Sequence, residues 1–490
     1  MTARAVMVLG TTSGAGKSWL ATALCRWYAR QGLRVAPFKA QNMSNNARVV
    51  SAADGSMGEI GSAQYFQALA ARAAPEVRMN PVLLKPENDT TSQVVVMGRV
   101  RADLGAVPWR ERSERLWPFA RAALDELMSE NDVVVIEGAG SPAEINLHAN
   151  DYVNMRTAVH AKAACLLVTD IDRGGAFAHL FGTHQLLPTE ERALICGFVL
   201  NRFRGDAALL APGPQQLHQL TGVPTLAVLP MWRGHGLPEE DGVFDDRATG
   251  SRAGVQVAVI AFPQISNLDE FEPLRQCPGL HLRWARTPAE LAGADWIVLP
   301  GSKHTGGDLA WLRAVGLFDA VQRHAARGGR VLGICGGLQM LGCGLFDPHG
   351  IEGHAGGEGR GLALLPIDTH FEPQKALRQT RACFDTLAGD WSALSGLVFS
   401  GYEIRCGRTH AATGAVRALH NDEGGAIGWQ QGAVLGVYAH GLFEAPGLMS
   451  ALFGAEPRPL DAVFDGLADF IDEHFEPSVL QNLIQLSTRP

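Results

Sequence analysis

Ala5-Val6-Met7-Val8-Leu9-Gly10-Thr11-Thr12-Ser13-Gly14-Ala15-Gly16-Lys17-Ser18 reads as an apolar strand, a glycine-rich loop and the opening of a helix. That order of parts suits phosphate binding. Glycines let successive backbone N–H groups converge on phosphate oxygens, a helix N-terminus adds positive potential, Lys17 adds charge, and the Ser18 hydroxyl suits Mg²⁺. Five residues rather than four separate Gly10 from Gly16, so the strict GxxxxGK[ST] spacing fails at Thr11 while the strand–loop–helix setting is kept. Gly14, Gly16, Lys17 and Ser18 are therefore the first candidate phosphate contacts.

The same rhythm continues outward. Short apolar runs at residues 6–9, 133–136, 166–169, 194–200 and 225–229 alternate with helical patterns such as 18–31, which stops at Gly32. This predicts βαβ units around a parallel sheet, an α/β fold. The run at 133–136 ends in Glu137, and the following Gly138-Ala139-Gly140 leaves room for a nucleotide, so Glu137 is expected to share Mg²⁺ with Ser18. Lys39 closes the strand pattern 33–38 and points to the C-terminal sheet edge, where open α/β folds bind ligands.

After Pro230 the chain turns polar and glycine-rich before strand patterns resume at 255–261, 296–299, 331–334 and 434–438. We place one domain at 1–232, a linker at 233–253 and a second α/β domain at 254–490. In the second, the run 331–334 leads into Cys335-Gly336-Gly337, a strand-to-helix elbow that lifts a nucleophile off its sheet and sets it at a helix N-terminus, which favours a thiolate. The run 434–438 brings His440 to another strand end, 105 residues after the cysteine, so the two meet only through the fold. A thiol and an imidazole so placed suit nucleophilic catalysis with acid–base help. Residues 350–361 hold six glycines and read as a flexible loop, and 460–486 as an acidic amphipathic helical stretch suited to docking on a domain.

Composition bounds the rest. At 490 residues and 46% hydrophobic content the chain predicts two to four domains with ample cores. A formal charge of -8 without a basic run argues against a nucleic-acid partner. No apolar run approaches the ~20 residues that span a bilayer, and the start runs straight into a strand, so neither a membrane nor a leader is expected. Eight scattered cysteines without a CxxC pair fit reduced thiols in the cytoplasm.

Gly10–Ser18, Lys39 and Glu137-Gly-Ala-Gly resemble dethiobiotin synthetase, a family that activates carboxylates with ATP. The resemblance implies ATP and Mg²⁺ here, with Lys17, Ser18, Lys39 and Glu137 on phosphates and metal and Asn201 near the adenine. Gly333-Ile334-Cys335-Gly336-Gly337-Leu338-Gln339 and Tyr438-Ala439-His440-Gly441 resemble the class I glutamine amidotransferases, whose fold is flavodoxin-like. That implies Cys335 as nucleophile on glutamine, His440 as its acid–base partner, and the N–H groups of Gly301 and Gly336 as oxyanion donors. Most of that class carries Glu two residues after the His, where this chain has Leu442, so the carboxylate that would orient His440 is missing.

Longer stretches, among them Lys39-Ala40-Gln41-Asn42-Met43-Ser44-Asn45-Asn46, Asp170-Ile171-Asp172-Arg173 and Gly401-Tyr402-Glu403-Ile404, resemble the cobyric acid synthase family nearly end to end. That family amidates the b, d, e and g carboxylates of adenosylcobyrinic acid a,c-diamide, a corrinoid polycarboxylate, with one ATP and one glutamine per round. The resemblance implies substrate contacts from Gln41, Asn42, Asn45, Asn46, Asp170 and Arg173. A local positive field from Lys85, Arg99, Arg101, Arg173 and Arg202 would suit a polycarboxylate despite the negative total charge. His is commoner than Arg405 after Tyr-Glu-Ile in that family, which leaves the role of Arg405 open. Two alternatives remain: a cobyrinic acid a,c-diamide synthase, and more remotely a ParA/MinD-like positioning ATPase, whose signature Lys-Gly is replaced by Thr12-Ser13. Oligomeric state, the order of amidations and the ammonia route are not legible.

Overall fold

The computed structural model describes residues 3–87, 90–238, 254–352 and 357–486. Strand Arg4–Gly10 is the centre of a six-stranded sheet, all parallel, between Val133–Glu137 and Ala164–Asp170. Val35–Phe38 lies outside the first neighbour, and Ile195–Phe203 and Thr225–Pro230 outside the second. Both faces are covered, so the strands read as continuous apolar runs whose alternate residues enter different cores. Ala5, Met7 and Leu9 join one cluster, whereas Val6 and Val8 join another with Leu20 and Leu24 of helix Lys17–Arg30. Pairing Val8 with Glu137, Phe38 with Ile136 and Asp170 with Asn201 brings the phosphate loop, Lys39, Glu137, Asp170 and Asn201 to one sheet edge.

Among the described residues the second sheet has eleven strands. Five run parallel in the order Leu280–Ala285, Val255–Ile260, Trp296–Leu299, Arg330–Ile334, Val434–Val437. The sheet then turns antiparallel through Ala426–Gln431 and Val416–Asn421 to a long hairpin of Ile367–Phe384 against Val398–Ala411. The sequence reading covered four of the five parallel strands, without the edge strand Leu280–Ala285, and none of the antiparallel part. Residues 350–361, read as a loop, include the edge strand Gly357–Arg360, while 353–356 lie outside the described residues.

The expected linker 233–253 falls mostly outside the described residues, which stop at 238 and resume at 254. The chain-order division at 254–490 differs from the spatial one at its end. Helices Leu460–His474 and Val479–Leu486 return to the first module, where Val463, Phe464, Leu467 and Ile471 enter the core behind Val6 and Val8. Asp461, Asp465, Asp469 and Asp472, at near-helical spacing, meet helix Lys17–Arg30. Arg26 pairs with Asp461 and lies 3.7 Å from Asp465, Arg30 is 2.6 Å from Asp469, and the Trp27 indole donates to Asp472 at 2.7 Å. The acidic face seen in the sequence is thus a complement to arginines on the phosphate-loop helix.

Candidate functional site

The loop after Arg4–Gly10 turns through Gly14 and Gly16, with φ of 70° and 100°, in a region where a side chain costs energy. A Cβ at Gly16 would also stand 2.1 Å from the Asn201 amide nitrogen. Asn201 donates from that nitrogen to the Ala15 carbonyl at 2.9 Å, so it braces the loop from behind. Lys17, nearly buried, donates to the carbonyls of Thr12 at 2.9 Å and Gly140 at 3.0 Å.

Glu137 is the focus of the edge. One carboxylate oxygen accepts from Ser18 and from Lys39, each at 2.8 Å. The other accepts from Gln67 at 2.5 Å and Gln64 at 3.4 Å. Burial alone would raise its pKa, but the Lys39 charge and the bonds from Lys39, Gln67 and Ser18 outweigh it and hold the carboxyl below the usual range. An ionised carboxylate beside a hydroxyl at a phosphate loop is a donor set of hard oxygens, which fits Mg²⁺.

These residues open on a cavity of about 740 Å³, which Lys17, Ser18, Lys39, Gln41, Asn42, Glu137, Arg173 and Arg202 help to line. Gln41 is held by the Tyr152 hydroxyl at 2.8 Å. Asp170 sits behind the wall, 3.0 Å from Arg202 and 3.3 Å from Arg173, and fixes both guanidinium groups. The remaining expected contacts fall elsewhere. Asn45 and Asn46 do not line the cavity; Asn46 is buried against the second module and accepts from the Leu268 N–H at 2.8 Å. Lys85 is also buried at that boundary, on Glu59 at 2.9 Å. Arg99 and Arg101 pair at the surface with Asp54 and Asp103. Of the five basic residues expected to provide a positive field, Arg173 and Arg202 alone reach the cavity.

In the second module, parallel neighbours Trp296–Leu299, Arg330–Ile334 and Val434–Val437 end at one edge and deliver Gly301, Cys335 and His440 together. Cys335 takes φ 51° and ψ -104°, the strained backbone of an elbow, and starts helix Gly336–Leu341. A Cβ on Gly337 would stand 1.9 Å from the Leu299 carbonyl, so only glycine admits the elbow so close to the next strand. Gly301 lies beside the imidazole, its notional Cβ 3.1 Å from His440 Cε1, and Gly336 lies against Ser302. Arg405 lies over the Tyr438 ring at 3.9 Å, bonded to Glu403 at 2.8 Å and the Gly407 carbonyl at 2.6 Å, within electrostatic reach of Cys335.

A carboxylate orienter is present, from an unexpected place. Glu270, fully buried in the helical turn Leu268–Phe271, faces His440 Nδ1 at 3.2 and 3.3 Å. Burial would lower the pKa of His440, but the charges of Glu270 and Cys335 and hydrogen bonding to both lift it to about 10. No sequence signal pairs Glu270 with His440 across 170 residues; the acidic Asp269-Glu270 after a strand end was the one trace.

Two family models match separate parts of the chain. Residues 6–233 match the family described as CobQ/CobB/MinD/ParA nucleotide binding domain, and residues 256–447 the CobB/CobQ-like glutamine amidotransferase domain. The second match stops before the two returning helices. Fold and sites define a two-module enzyme, a nucleotide-binding domain joined to a glutamine amidotransferase domain, for which glutamine is a substrate. A cobyric acid synthase of Methylibium petroleiphilum is 72% identical over 98% of this chain and 97% of its own. Those of Leptothrix cholodnii and Variovorax paradoxus are each 67% identical, over 100% and 99% of this chain and 98% and 100% of theirs. The chain belongs to the cobyric acid synthase family. Among the described residues no helix is long and apolar enough to cross a membrane.

Proposed function

We propose that the chain uses ATP, Mg²⁺ and glutamine to amidate the b, d, e and g carboxylates of adenosylcobyrinic acid a,c-diamide, in the cytoplasm. One observation carries the reading: a single chain joins a buried Cys335–His440–Glu270 line to a phosphate-loop cavity floored by Ser18, Lys39 and Glu137. The substrate rests on relatives that bear the cobyric acid synthase name. The compartment is supported by eight cysteines that are all unpaired.

In the second module the Cys335 thiolate adds to the glutamine side-chain carbonyl carbon, and the N–H groups of Gly301 and Gly336 take the developing oxyanion. Glu270 holds His440 by Nδ1, leaving Nε2 to give its proton to the departing nitrogen as the C–N bond breaks. Water then cleaves the thioester, releasing glutamate. In the first module the loop amides, Lys17 and Lys39 hold the phosphates of ATP while a substrate carboxylate takes up the γ-phosphoryl group, and ammonia displaces phosphate to leave the amide. Ser18 and Glu137 would hold Mg²⁺, which when bound neutralises phosphate oxygens. Gln41, Asn42, Arg173 and Arg202, facing the same cavity, suit the polar rim of a polycarboxylate.

The test is mass spectrometry of the corrinoid after incubation with ATP, Mg²⁺ and glutamine. Four acid-to-amide conversions are expected. Cys335→Ser should lose them with glutamine and keep them with an ammonium salt. Turnover of unamidated cobyrinic acid alone would support the cobyrinic acid a,c-diamide synthase alternative instead.

A further inference from the structure

We infer that Arg48, a residue of the first module, is a positioning residue for the thiol–imidazole chemistry of the second. This rests on the reading that Cys335 and His440 cleave glutamine. Arg48 lies on strand Ala47–Ser51, which pairs with Met57–Gly61, and its guanidinium is almost wholly buried. It donates from Nε to Asp269 at 3.0 Å and grips Glu444 from Nη1 at 3.0 Å and Nη2 at 2.6 Å; Nη2 also bonds Asp269. Its central carbon lies 5.2 Å from the Tyr402 ring centre.

Each of those three partners fixes His440 from a different side. Asp269 immediately precedes Glu270, the carboxylate on Nδ1. Glu444 ends the turn Leu442–Glu444 that follows His440-Gly441. Tyr402 stacks on the imidazole at 5.2 Å and exchanges backbone bonds with it, at 3.3 Å to the His440 carbonyl and 2.9 Å from its N–H. One planar, always-charged fork therefore ties together the elements on three sides of the imidazole. It also neutralises two of three neighbouring carboxylates and leaves Glu270 to the histidine. Arg48 itself touches neither reacting atom.

Neighbours reinforce the contact. Asn46 accepts from Leu268 N–H at 2.8 Å, Ala47 N–H donates to Asn267 at 3.1 Å, and Ser62 donates to Asp269 at 3.2 Å. Residues 46–48 continue from Gln41 and Asn42, which line the cavity of the first module. The glutamine site is thus incomplete without the synthetase module, and one short segment serves both.

The experiment compares wild type, Cys335→Ser and Arg48→Met in the full chain, measuring glutamine hydrolysis and ammonia-dependent amidation separately. Arg48→Met is expected to lower kcat for glutamine hydrolysis at least about tenfold, as misplacement of an acid–base group does. KM for glutamine and the ammonia-dependent rate should stay within about twofold, since a positioning defect acts on the chemical step. Should the single variant fail to fold, Arg48→Met with Asp269→Asn and Glu444→Gln removes the stranded charges and is read the same way. Loss of both activities in parallel in a folded variant, or an unchanged kcat, overturns the assignment. If wild type hydrolyses no glutamine, or Cys335→Ser still does, the underlying functional reading fails instead.

Discussion

His440 shows how one buried contact sets the working state of a site. Its imidazole is held above ordinary histidine basicity because Glu270 and Cys335 supply negative charge that burial cannot offset. A group whose folded pKa is raised stabilises the fold fully below about pH 6.5 and loses that contribution as pH rises through about 10. The same proton is the one given to the departing nitrogen, so the alkaline limb of glutamine hydrolysis should follow it. Glu270→Gln keeps a bond to Nδ1 but removes the charge. We expect its alkaline limb to move to lower pH and its kcat at pH 8 to fall by roughly 10²-fold, the order of an acid–base contribution. Ammonia-dependent amidation should persist. A pH–rate profile of the variant that overlays wild type would remove Glu270 from the mechanism. Leu442, where most class I amidotransferases carry Glu, needs no replacement on its own turn because Glu270 reaches the ring from across the module.

Strands and turns explain which parts of the molecule were legible in advance. Most parallel strands stood out because both of their faces are buried, as in Val133–Glu137, where every residue is covered, whereas the edge strand Leu280–Ala285, half-buried at His281, Leu282 and Arg283, did not. The elbow and phosphate loop stood out because close backbone approach leaves room for glycine alone. Gly16→Ala tests this: it forces a side chain into a φ of 100° and a methyl to 2.1 Å from Asn201, so ATP binding by calorimetry should be lost while glutamine hydrolysis at saturating glutamine remains. Normal ATP binding would place the phosphates elsewhere. The hairpin of Ile367–Phe384 and Val398–Ala411 was not legible, since its middle carries Glu372, Pro373, Gln374 and Lys375 in exposed or half-buried positions and lacks an apolar period. Its partner lies in the other module, where Lys375 meets Glu59 at 2.6 Å and Gln379 donates to the Val49 carbonyl at 3.3 Å. Asn46 and Lys85 were assigned to a substrate for the same reason: amides and cations in a loop look alike whether they face a ligand or a second domain. Glu270 was missed because only the fold brings it to His440.

At the scale of the whole chain, two contacts join what sequence order separates. Glu59 of the first module is buried between Lys85 at 2.9 Å and Lys375 of the second at 2.6 Å. Burial would raise its pKa, but the two ammonium groups carry it down to about 2. Lys85 is itself lowered to about 8, chiefly by burial, because one carboxylate cannot fully compensate two cations. The depressed Glu59 stabilises the fold above about pH 4.5 and loses that contribution as pH falls through about 2, so Glu59→Gln should lower the midpoint of thermal unfolding at pH 7 and much less at pH 2. The other contact is the return of residues 460–486. Val463, Phe464, Leu467 and Ile471 are buried against the phosphate-loop helix, and side chains of that size contribute about 1.5–3 kcal/mol each on burial. Arg26, fully buried on that helix, is paired by Asp461 and Asp465 and covered by the Phe464 ring, so truncation before residue 460 removes both its partners and its cover. Because Lys17 and Ser18 open the same helix, loss of the returning segment acts directly on the phosphate loop. A chain ending at 459 should therefore bind ATP at least about tenfold more weakly, a change of about 1.4 kcal/mol. Glutamine hydrolysis should be retained, since Cys335, His440, Glu270 and Arg48 all lie outside the deleted contact. The check is calorimetric ATP titration of the truncated chain beside a glutaminase assay, with the 460–486 peptide added back. Recovery of ATP affinity with the peptide marks the segment as part of the nucleotide module, and unchanged affinity without it would make the docked helices a passive cover.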